Sequence, residues 1–404
     1  MSKVKIGVIR EGKVPPDKRV PLTPEHCKRI LEGHYNVEIV IQSSPIRAFS
    51  DDEYSALGLT VQEDVSDCDI LMGVKEVPKS DLLPQKVYFF FSHTYKEQPY
   101  NAALLKKILD RKIQLVDYEL IKDKRDRRLI GFGRYAGVVG SYNGFRGWGE
   151  KMGTFSLKPA HLCHDREEME GQLSEIVLPK NFRMVMSGHG RVGNGAMEII
   201  KKIGLKEVTP EDYLANDFDV PVFTHIDSDD YNDRADGSEF ETSHFYAHPE
   251  MYVSEFFRFA KVSDMYIASH YWDAEAPQIL TKDDLRNSDC RLKMIADISC
   301  DIEEPIASTL RATTIAEPFF GYDKASGQEV DFMTADSIGV MSVDNLPCEL
   351  PRDASKDFGE VLLTSVLPAL LGEDPDRIIE RASETNLEGK LMPNFDYLMD
   401  YVNS

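Results

Sequence analysis

The run Gly188-His189-Gly190-Arg191-Val192-Gly193 lies near the middle of the 404-residue chain, between a strand pattern and a helix pattern. Arg183-Met184-Val185-Met186-Ser187 reads as a buried strand. Ala196, Ile199, Ile200 and Ile203 then recur at helical spacing until Gly204 offers a helix stop. In that setting glycines let the backbone approach a pyrophosphate, and the free N–H groups and positive dipole end of the new helix attract its charge. A lone GxGxxG is a weak signal, because glycine-rich turns join many strands to helices; the two flanks give this one its weight. A dinucleotide-binding domain is therefore expected in the second half, and the long stretch before it must form a domain of its own.

Composition narrows the class. The chain is 42% hydrophobic without a long apolar run, which describes a globular protein with no membrane partner. A formal net charge of -22 repels phosphate backbones, so no nucleic acid is expected and small diffusing substrates are the better fit. Lys3 to Ile9 reads as a strand rather than a signal segment, which points to the cytoplasm. Cys27, Cys68, Cys163, Cys290, Cys300 and Cys348 form no CxxC pair and read as reduced core thiols. His161, Cys163 and His164 invite a metal, but no second ligand cluster accompanies them, so none is expected.

Strand-like and helix-like segments alternate from the start: Val4–Ile9, a helix over Pro24–Glu32, Val37–Ile41, a helix near Asp51–Ala56, and Ile70–Val74. The pattern continues through Val87–Phe91, a helix across Asn101–Leu109, and Gln114–Asp117, which is the grammar of a mostly parallel sheet. Between Gly131 and Trp148 the chain turns glycine-rich and small, and a domain change is placed near Gly137. A helical, charged segment then leads to the fingerprint. Met265–Ser269 and Met294–Asp297 look like further strands of a second sheet, and Asp227–Glu241 looks like an exposed insertion. Pro347, Pro351 and an amphipathic helix within Asn345–Leu371 suggest a return to the first domain. The expected architecture is α/β: two Rossmann-like domains with parallel sheets flanked by helices and a cleft between them, residues 1–136 plus 345–404 and residues 137–344.

In open α/β sheets ligands collect at the carboxyl ends of strands. Lys75 and Glu76 follow Ile70–Val74, and His93 follows Phe89-Phe90-Phe91. A lysine there can bind a carboxylate or move a proton once neighbours tune it, and a histidine titrates near neutrality. Read alone, they are equally well a solvated lysine and a loop residue. Arg19, just before Thr23-Pro24, is suited to clamp a carboxylate in two-point fashion or to be a surface arginine. Glu119, at the end of Leu115–Tyr118, can set the charge state of a nearby lysine or simply start a helix.

Together these segments resemble the alanine dehydrogenase and saccharopine dehydrogenase superfamily. The matching stretches are Arg19-Val20-Pro21-Leu22-Thr23-Pro24, Gly73-Val74-Lys75-Glu76, Phe90-Phe91-Ser92-His93-Thr94, Asp117-Tyr118-Glu119 and Gly131 to Gly137. Later matches are His248 to Tyr252, Tyr271-Trp272, Asp297 to Asp301 and Ser342 to Pro347. The Phe132–Gly137, Tyr118-Glu119 and Tyr271-Trp272 stretches tilt the resemblance towards lysine-forming saccharopine dehydrogenases and the lysine-ketoglutarate reductase portion of bifunctional enzymes. It implies an NAD(P)-linked oxidoreductase interconverting saccharopine with L-lysine and 2-oxoglutarate. The alternatives are an alanine or other amino-acid dehydrogenase, and a catalytically silent NAD(P)-sensing module. By resemblance Lys75 and His93 are the acid/base pair, Arg19 binds a substrate carboxylate, Glu76 and Glu119 tune Lys75, and these three with Arg134 line the substrate site. Gly188, Gly190, Arg191, Val192 and Gly193 meet the cofactor, with Asp344 near the nicotinamide.

The choice between NAD and NADP stays open. An NAD-preferring Rossmann domain usually ends its second strand with an acid, whereas this chain has Val208-Thr209-Pro210 before Glu211. If Thr209 fills that place, no carboxylate repels a 2′-phosphate.

Overall fold

The computed structural model describes residues 3–33 and 35–403. The chain packs into two compact units, Met1–Phe132 with Pro351–Ser404 and Gly133–Leu350. Each is an α/β unit built on its own sheet.

The first sheet contains β1 (Val4–Val8), β2 (Val37–Gln42), β3 (Thr60–Gln62), β4 (Ile70–Met72), β5 (Val87–Phe90) and β6 (Gln114–Asp117). Their order is β3-β2-β1-β4-β5-β6, and all five neighbouring pairs are parallel. A sheet covered on both faces needs apolar residues on both, and alternate side chains divide accordingly. Ile39, Ile41, Phe89 and Phe91 enter one core, whereas Val40, Tyr88 and Phe90 enter the other. Helix α1 (Pro24–Glu32) starts where Thr23 accepts from the His26 amide and Pro24 occupies the first turn; it buries Cys27 and Ile30. Helix α2 (Asp51–Ala56) is capped by Ser50, and α3 (Ala102–Asp110) buries Leu104 and Ile108 against the second core.

The three-residue β3 has too little apolar pattern to be read from sequence. The predicted strands also run one or two residues past β1, β4 and β5. Those overhangs still carry ladder-like bonds, Ile9 N to Met72 O at 3.0 Å and Phe91 N to Val74 O at 3.0 Å, so the apolar runs are real and only the boundaries move. After the second unit the helix Pro351–Val361 re-enters the first, where Phe358 packs between the rings of Phe91, Tyr118 and Phe132.

The second unit opens with α4 (Gly133–Met152), the 20-residue helix that the glycine-rich composition concealed. Glycine disfavours a helix interior by roughly 1 kcal/mol relative to alanine, so sequence alone argues against one. Packing supplies the reason. Gly137, Gly140, Gly144 and Gly147 form a stripe at helical spacing, and a Cβ on Gly137 would sit 1.8 Å from the Val192 carbonyl oxygen and one on Gly144 2.7 Å from the Met265 methyl. The stripe lets the helix lie close against its neighbours. The division between units therefore falls at the start of α4 rather than inside it at Gly137.

Helix α5 (Arg166–Gly171) comes next, then β7 (Arg183–Ser187) and α6 (Arg191–Ile203), which ends at Gly204 with φ +83°. The remaining strands are β8 (Lys206–Glu207), β9 (Val222–Ile226), β10 (Asn232–Arg234), β11 (Tyr252–Ser254), β12 (Met265–Ala268), β13 (Met294–Asp297), β14 (Phe319–Tyr322), β15 (Glu329–Val330) and β16 (Ile338–Met341). The eight-stranded sheet runs β15-β14-β16-β13-β12-β7-β9-β8, parallel from β8 to β16 and antiparallel at β14 and β15. The strand beside β7 is thus β9, and β8 is a two-residue edge. Asp227–Glu241 is not simply an exposed insertion: it begins with the short helix Ser228–Tyr231 and the β10–β11 ribbon, and Tyr231 and Asn232 are buried.

Candidate active site

The carboxyl edge of the first sheet gathers the titratable residues predicted from sequence. Just beyond β1, both oxygens of the buried Glu11 carboxyl accept backbone bonds, from Val74 N at 2.6 Å and Lys75 N at 2.9 Å. This fixes the backbone that carries Lys75 past the end of β4. Burial, reinforced by the Asp17 charge, pushes the Glu11 carboxyl up to about 8.

The next residue, Glu76, accepts from His93 Nδ1 at 3.1 Å and from Lys13 Nζ at 2.6 Å. Burial opposes its ionisation, yet the hydrogen bonds from His93 and Lys13 outweigh that and hold the carboxyl near about 2. With Glu76 ionised, the hydrogen of a neutral His93 belongs on Nδ1, which leaves Nε2 as the proton-exchanging atom. Nε2 faces a second carboxylate, Glu119 Oε2 at 3.8 Å. Glu119 also pairs with Lys96 at 3.1 Å and Arg128 at 3.2 Å; burial opposes its charge, but these cations outweigh it and lower its titration. His93 itself has φ +55°, a left-handed backbone that non-glycine residues seldom adopt. Its amide and those of Ser92 and Glu119 all donate to the buried Asp117 carboxylate, at 3.2, 2.8 and 2.7 Å.

Arg19 is no surface arginine: it is 2% exposed. Asp17 takes its Nε at 3.1 Å and Nη2 at 2.6 Å, and the guanidinium lies 4.1 Å over the Phe132 ring, which stacks on Phe358 at 4.6 Å. The structure thus brings Lys75, Glu76, His93 and Glu119 to one sheet edge and roots Arg19 in the core of the same unit. Sequence reading missed Glu11, Lys13, Asp17 and Asp117. Glu11 and Asp117 obey the same strand-end rule that found Lys75, whereas Lys13 and Asp17 sit in an irregular loop with no periodic signal.

In the second unit, Gly188 has φ +95°, and a Cβ on Gly193 would approach the Gly188 carbonyl oxygen to 1.9 Å. Gly190 N-caps α6 without a side-chain cap, and the space beside its Cα is open. Gly190 brings no side chain to the first turn of α6, and the amide-bearing, positive end of that helix is where a phosphate would lie. This loop borders a cleft of about 630 Å³, lined by Gly188 to Val192, Asp227, Ser228, Tyr231 and the segment Ser269 to Asp273. Size, backbone donors and the absence of blocking side chains at Gly190 fit a dinucleotide. His225 Nε2 holds the Gly188 carbonyl at 2.8 Å and its ring stacks on His189 at 3.7 Å. His270, in the cleft wall, is driven down to about 4 by burial and is therefore a neutral ring.

One expectation needs correction. Thr209 is the N-cap of the helix Pro210–Ala215 and does not end the strand beside β7. That strand is β9, and the residue following it is Asp227, one position past the Ser187–Ile226 pair and in the cleft wall. Intervening chain after the short β8 shifted the acid beyond the place where a Rossmann count looks for it. Arg134 belongs to α4 and forks onto Glu198 of α6, with Nε and Nη2 at 2.7 and 2.9 Å. Asp344 is exposed beyond the carboxyl end of β16 and does not line the cleft. Among the described residues no group of three or more His, Cys, Asp or Glu is placed to hold a metal ion, and no helix is long and apolar enough to cross a membrane.

Residues 7–139 match the model of the alanine dehydrogenase/PNT N-terminal domain. The chain is 32% identical over 400 residues to alpha-aminoadipic semialdehyde synthase of Arabidopsis thaliana, covering 88% of itself but 37% of that protein. It thus spans well under half the length of this relative. With the saccharopine dehydrogenase (NAD(+), L-lysine-forming) of Emericella nidulans it shares 26% identity over 394 residues, 91% of this chain and 92% of the other. Among solved structures, an L-alanine dehydrogenase superposes with TM-score 0.65 at 15% identity, covering 99% of this chain and 100% of its own, a likeness of fold. The chain therefore carries an alanine dehydrogenase/PNT N-terminal domain and is a relative, over most of its length, of alpha-aminoadipic semialdehyde synthases and saccharopine dehydrogenases.

Proposed function

We propose that the protein is a nicotinamide-dependent oxidoreductase acting on a CH–NH donor, and that it interconverts saccharopine with L-lysine and 2-oxoglutarate. The observation that carries this reading is His93 held between Glu119 and Glu76, the residue that follows Lys75 in the chain, at the sheet edge of a chain similar over most of its length to saccharopine dehydrogenase. In this reading the first unit, with its C-terminal return, is the substrate domain and the second binds the dinucleotide.

A bound nicotinamide dinucleotide supplies the hydride acceptor. Lys75 takes the proton from the secondary amine as hydride leaves the adjacent carbon, giving the substrate imine. His93 Nε2 takes a proton from water as it adds to the imine carbon while Lys75 returns its proton to the nitrogen; as the carbinolamine collapses to amine and 2-oxo acid, His93 protonates the departing lysine nitrogen and Lys75 takes the hydroxyl proton. Glu76 keeps the imidazole in the tautomer that frees Nε2. Arg19, rooted by Asp17 and Phe132, takes the substrate carboxylate in this reading on the strength of the resemblance alone.

Asp227 favours NAD as the physiological cofactor, since a carboxylate at that strand end accepts from a ribose hydroxyl and repels a 2′-phosphate. The six free thiols fit a reducing compartment, the cytoplasm. A panel of amines and 2-oxo acids, followed by NADH and NADPH absorbance, tests the reading. Turnover requiring lysine together with 2-oxoglutarate supports it. Turnover with ammonia and pyruvate instead, or cofactor binding with no turnover on any pair, overturns it.

A further inference from the structure

At the carboxyl end of β6 two acids are buried together. Asp117 and Glu384 are each 0% exposed. Glu384 arrives on the returning C-terminal segment, which joins β6 through Glu384 N to Leu115 O at 2.8 Å and Leu115 N to Thr385 Oγ1 at 3.0 Å. Two hydroxyls lie between the acids. Ser92 Oγ is 2.6 Å from Asp117 Oδ2, 3.0 Å from Glu384 Oε1 and 2.7 Å from Thr94 Oγ1, and Thr94 Oγ1 is 2.7 Å from Glu384 Oε2.

The three shortest of these oxygen–oxygen contacts, at 2.6, 2.7 and 2.7 Å, each need a hydrogen, and the two hydroxyls bring one apiece. With both acids ionised, lone pairs would face lone pairs inside a poorly solvated core. One further proton on Glu384 orders the chain: Glu384 donates to Thr94, Thr94 to Ser92, and Ser92 to Asp117. Asp117 is the member suited to the charge, because three backbone amides also point at its oxygens. Two of those amides belong to His93 and Glu119.

We propose that Asp117 and Glu384 are held as one carboxylate and one carboxylic acid, sharing a single proton through Ser92 and Thr94, and that this singly charged pair is the positioning element for His93 and Glu119. The importance of the positioning rests on the reading of those two residues as the acid–base site; the shared proton does not. Burial, with Asp117 beside it, pushes Glu384 up to about 8, and burial likewise raises Asp117. The ionisable groups around the pair are Glu119 with its partners Lys96 and Arg128, and the phenols of Tyr95, Tyr118, Tyr397 and Tyr401. A carboxyl raised on folding stabilises the folded chain fully below its unfolded value and ceases to do so as pH climbs through its folded value. Above about pH 8 the second charge should therefore split the pair and loosen the turns it holds.

Infrared spectra and amide exchange of the full chain, recorded without substrate, test this directly. At pH 6.5 the wild type should show a buried carboxylic-acid carbonyl band that Glu384→Gln removes. Glu11→Gln should remove a different band, since Glu11 also titrates near about 8. Protection of the His93 and Glu119 amides, corrected for intrinsic exchange, should fall about tenfold between pH 7 and 9 in the wild type and much less in Glu384→Gln. A band untouched by Glu384→Gln, or equal loss of protection in both proteins, overturns the proposal. Should that variant not fold, Thr94→Val must shift the band by deleting the proton's partner, and an unmoved band overturns the assignment equally. Because no substrate enters, failure of the saccharopine reading leaves these outcomes standing.

Discussion

The two sheets share a parallel, helix-covered architecture, yet their carboxyl edges are dressed in opposite ways. The first presents charge: Glu11, Lys75, Glu76, His93 and Glu119 converge from the ends of β1, β4, β5 and β6. The second presents backbone: a turn made of Gly188, Gly190 and Gly193, the uncapped first turn of α6, and imidazoles of which His270 is kept neutral by burial. In the proposed reading one topology serves proton transfer or dinucleotide binding, depending on the side chains or bare backbone at its strand ends. Function is carried by those residues, and the fold only brings them together.

The sharpest way to break the comparison is to remove the charge from one edge. Lys75→Met and His93→Gln should each lower turnover by about 10²- to 10⁴-fold, the range of a positioned acid or base. NADH binding, followed by fluorescence, should stay within about twofold, because the backbone-lined site lies in the other unit. Loss of cofactor affinity in either variant would mean that the two edges are not separable in function.

A middle-sized effect probes Asp227, a carboxylate in the wall of the cleft that the glycine turn borders. Asp227→Ser keeps an N-cap for the helix Ser228–Tyr231, so folding should hold. A hydrogen bond to a charged acceptor contributes about 1.5–3 kcal/mol, so the kcat/KM ratio for NADH over NADPH should fall roughly 10- to 100-fold. An unchanged ratio would return Asp227 to a purely capping role and reopen NADP.

How much of this contrast was legible beforehand also divides by region. The alternating β–α grammar of residues 4–117 and the flanks of the glycine turn were readable, because parallel strands buried on both faces leave unbroken apolar runs and amphipathic helices leave a 3.6-residue period. Helix α4 was hidden, since its glycines answer to tertiary contacts with α6 and the sheet and contradict local propensity. Lys75, Glu76, His93 and Glu119 were found by their places after strands. Asp227 was missed because the short β8 intervenes and β9 takes the position next to β7. The Asp117–Glu384 pair joins residues 267 positions apart, and no local pattern announces it.

The smallest expected effect concerns Arg134, where sequence resemblance and geometry part. Its guanidinium forks onto Glu198, which also receives Arg166 at 2.8 Å, and the Arg134 and Glu198 side chains are 43% and 31% exposed. Solvent screens such a pair, so removing it should cost under about 1 kcal/mol and lower the melting temperature by only a few degrees. Arg134→Gln keeps a polar side chain at the same place in α4. If the arginine serves the contact between α4 and α6, KM for the 2-oxo acid should not move while Glu198→Gln reproduces the same small loss of stability. A KM rise of tenfold or more with stability intact would instead assign its charge to a substrate carboxylate, and the division between a charged first edge and a backbone-built second one would have to be redrawn around it.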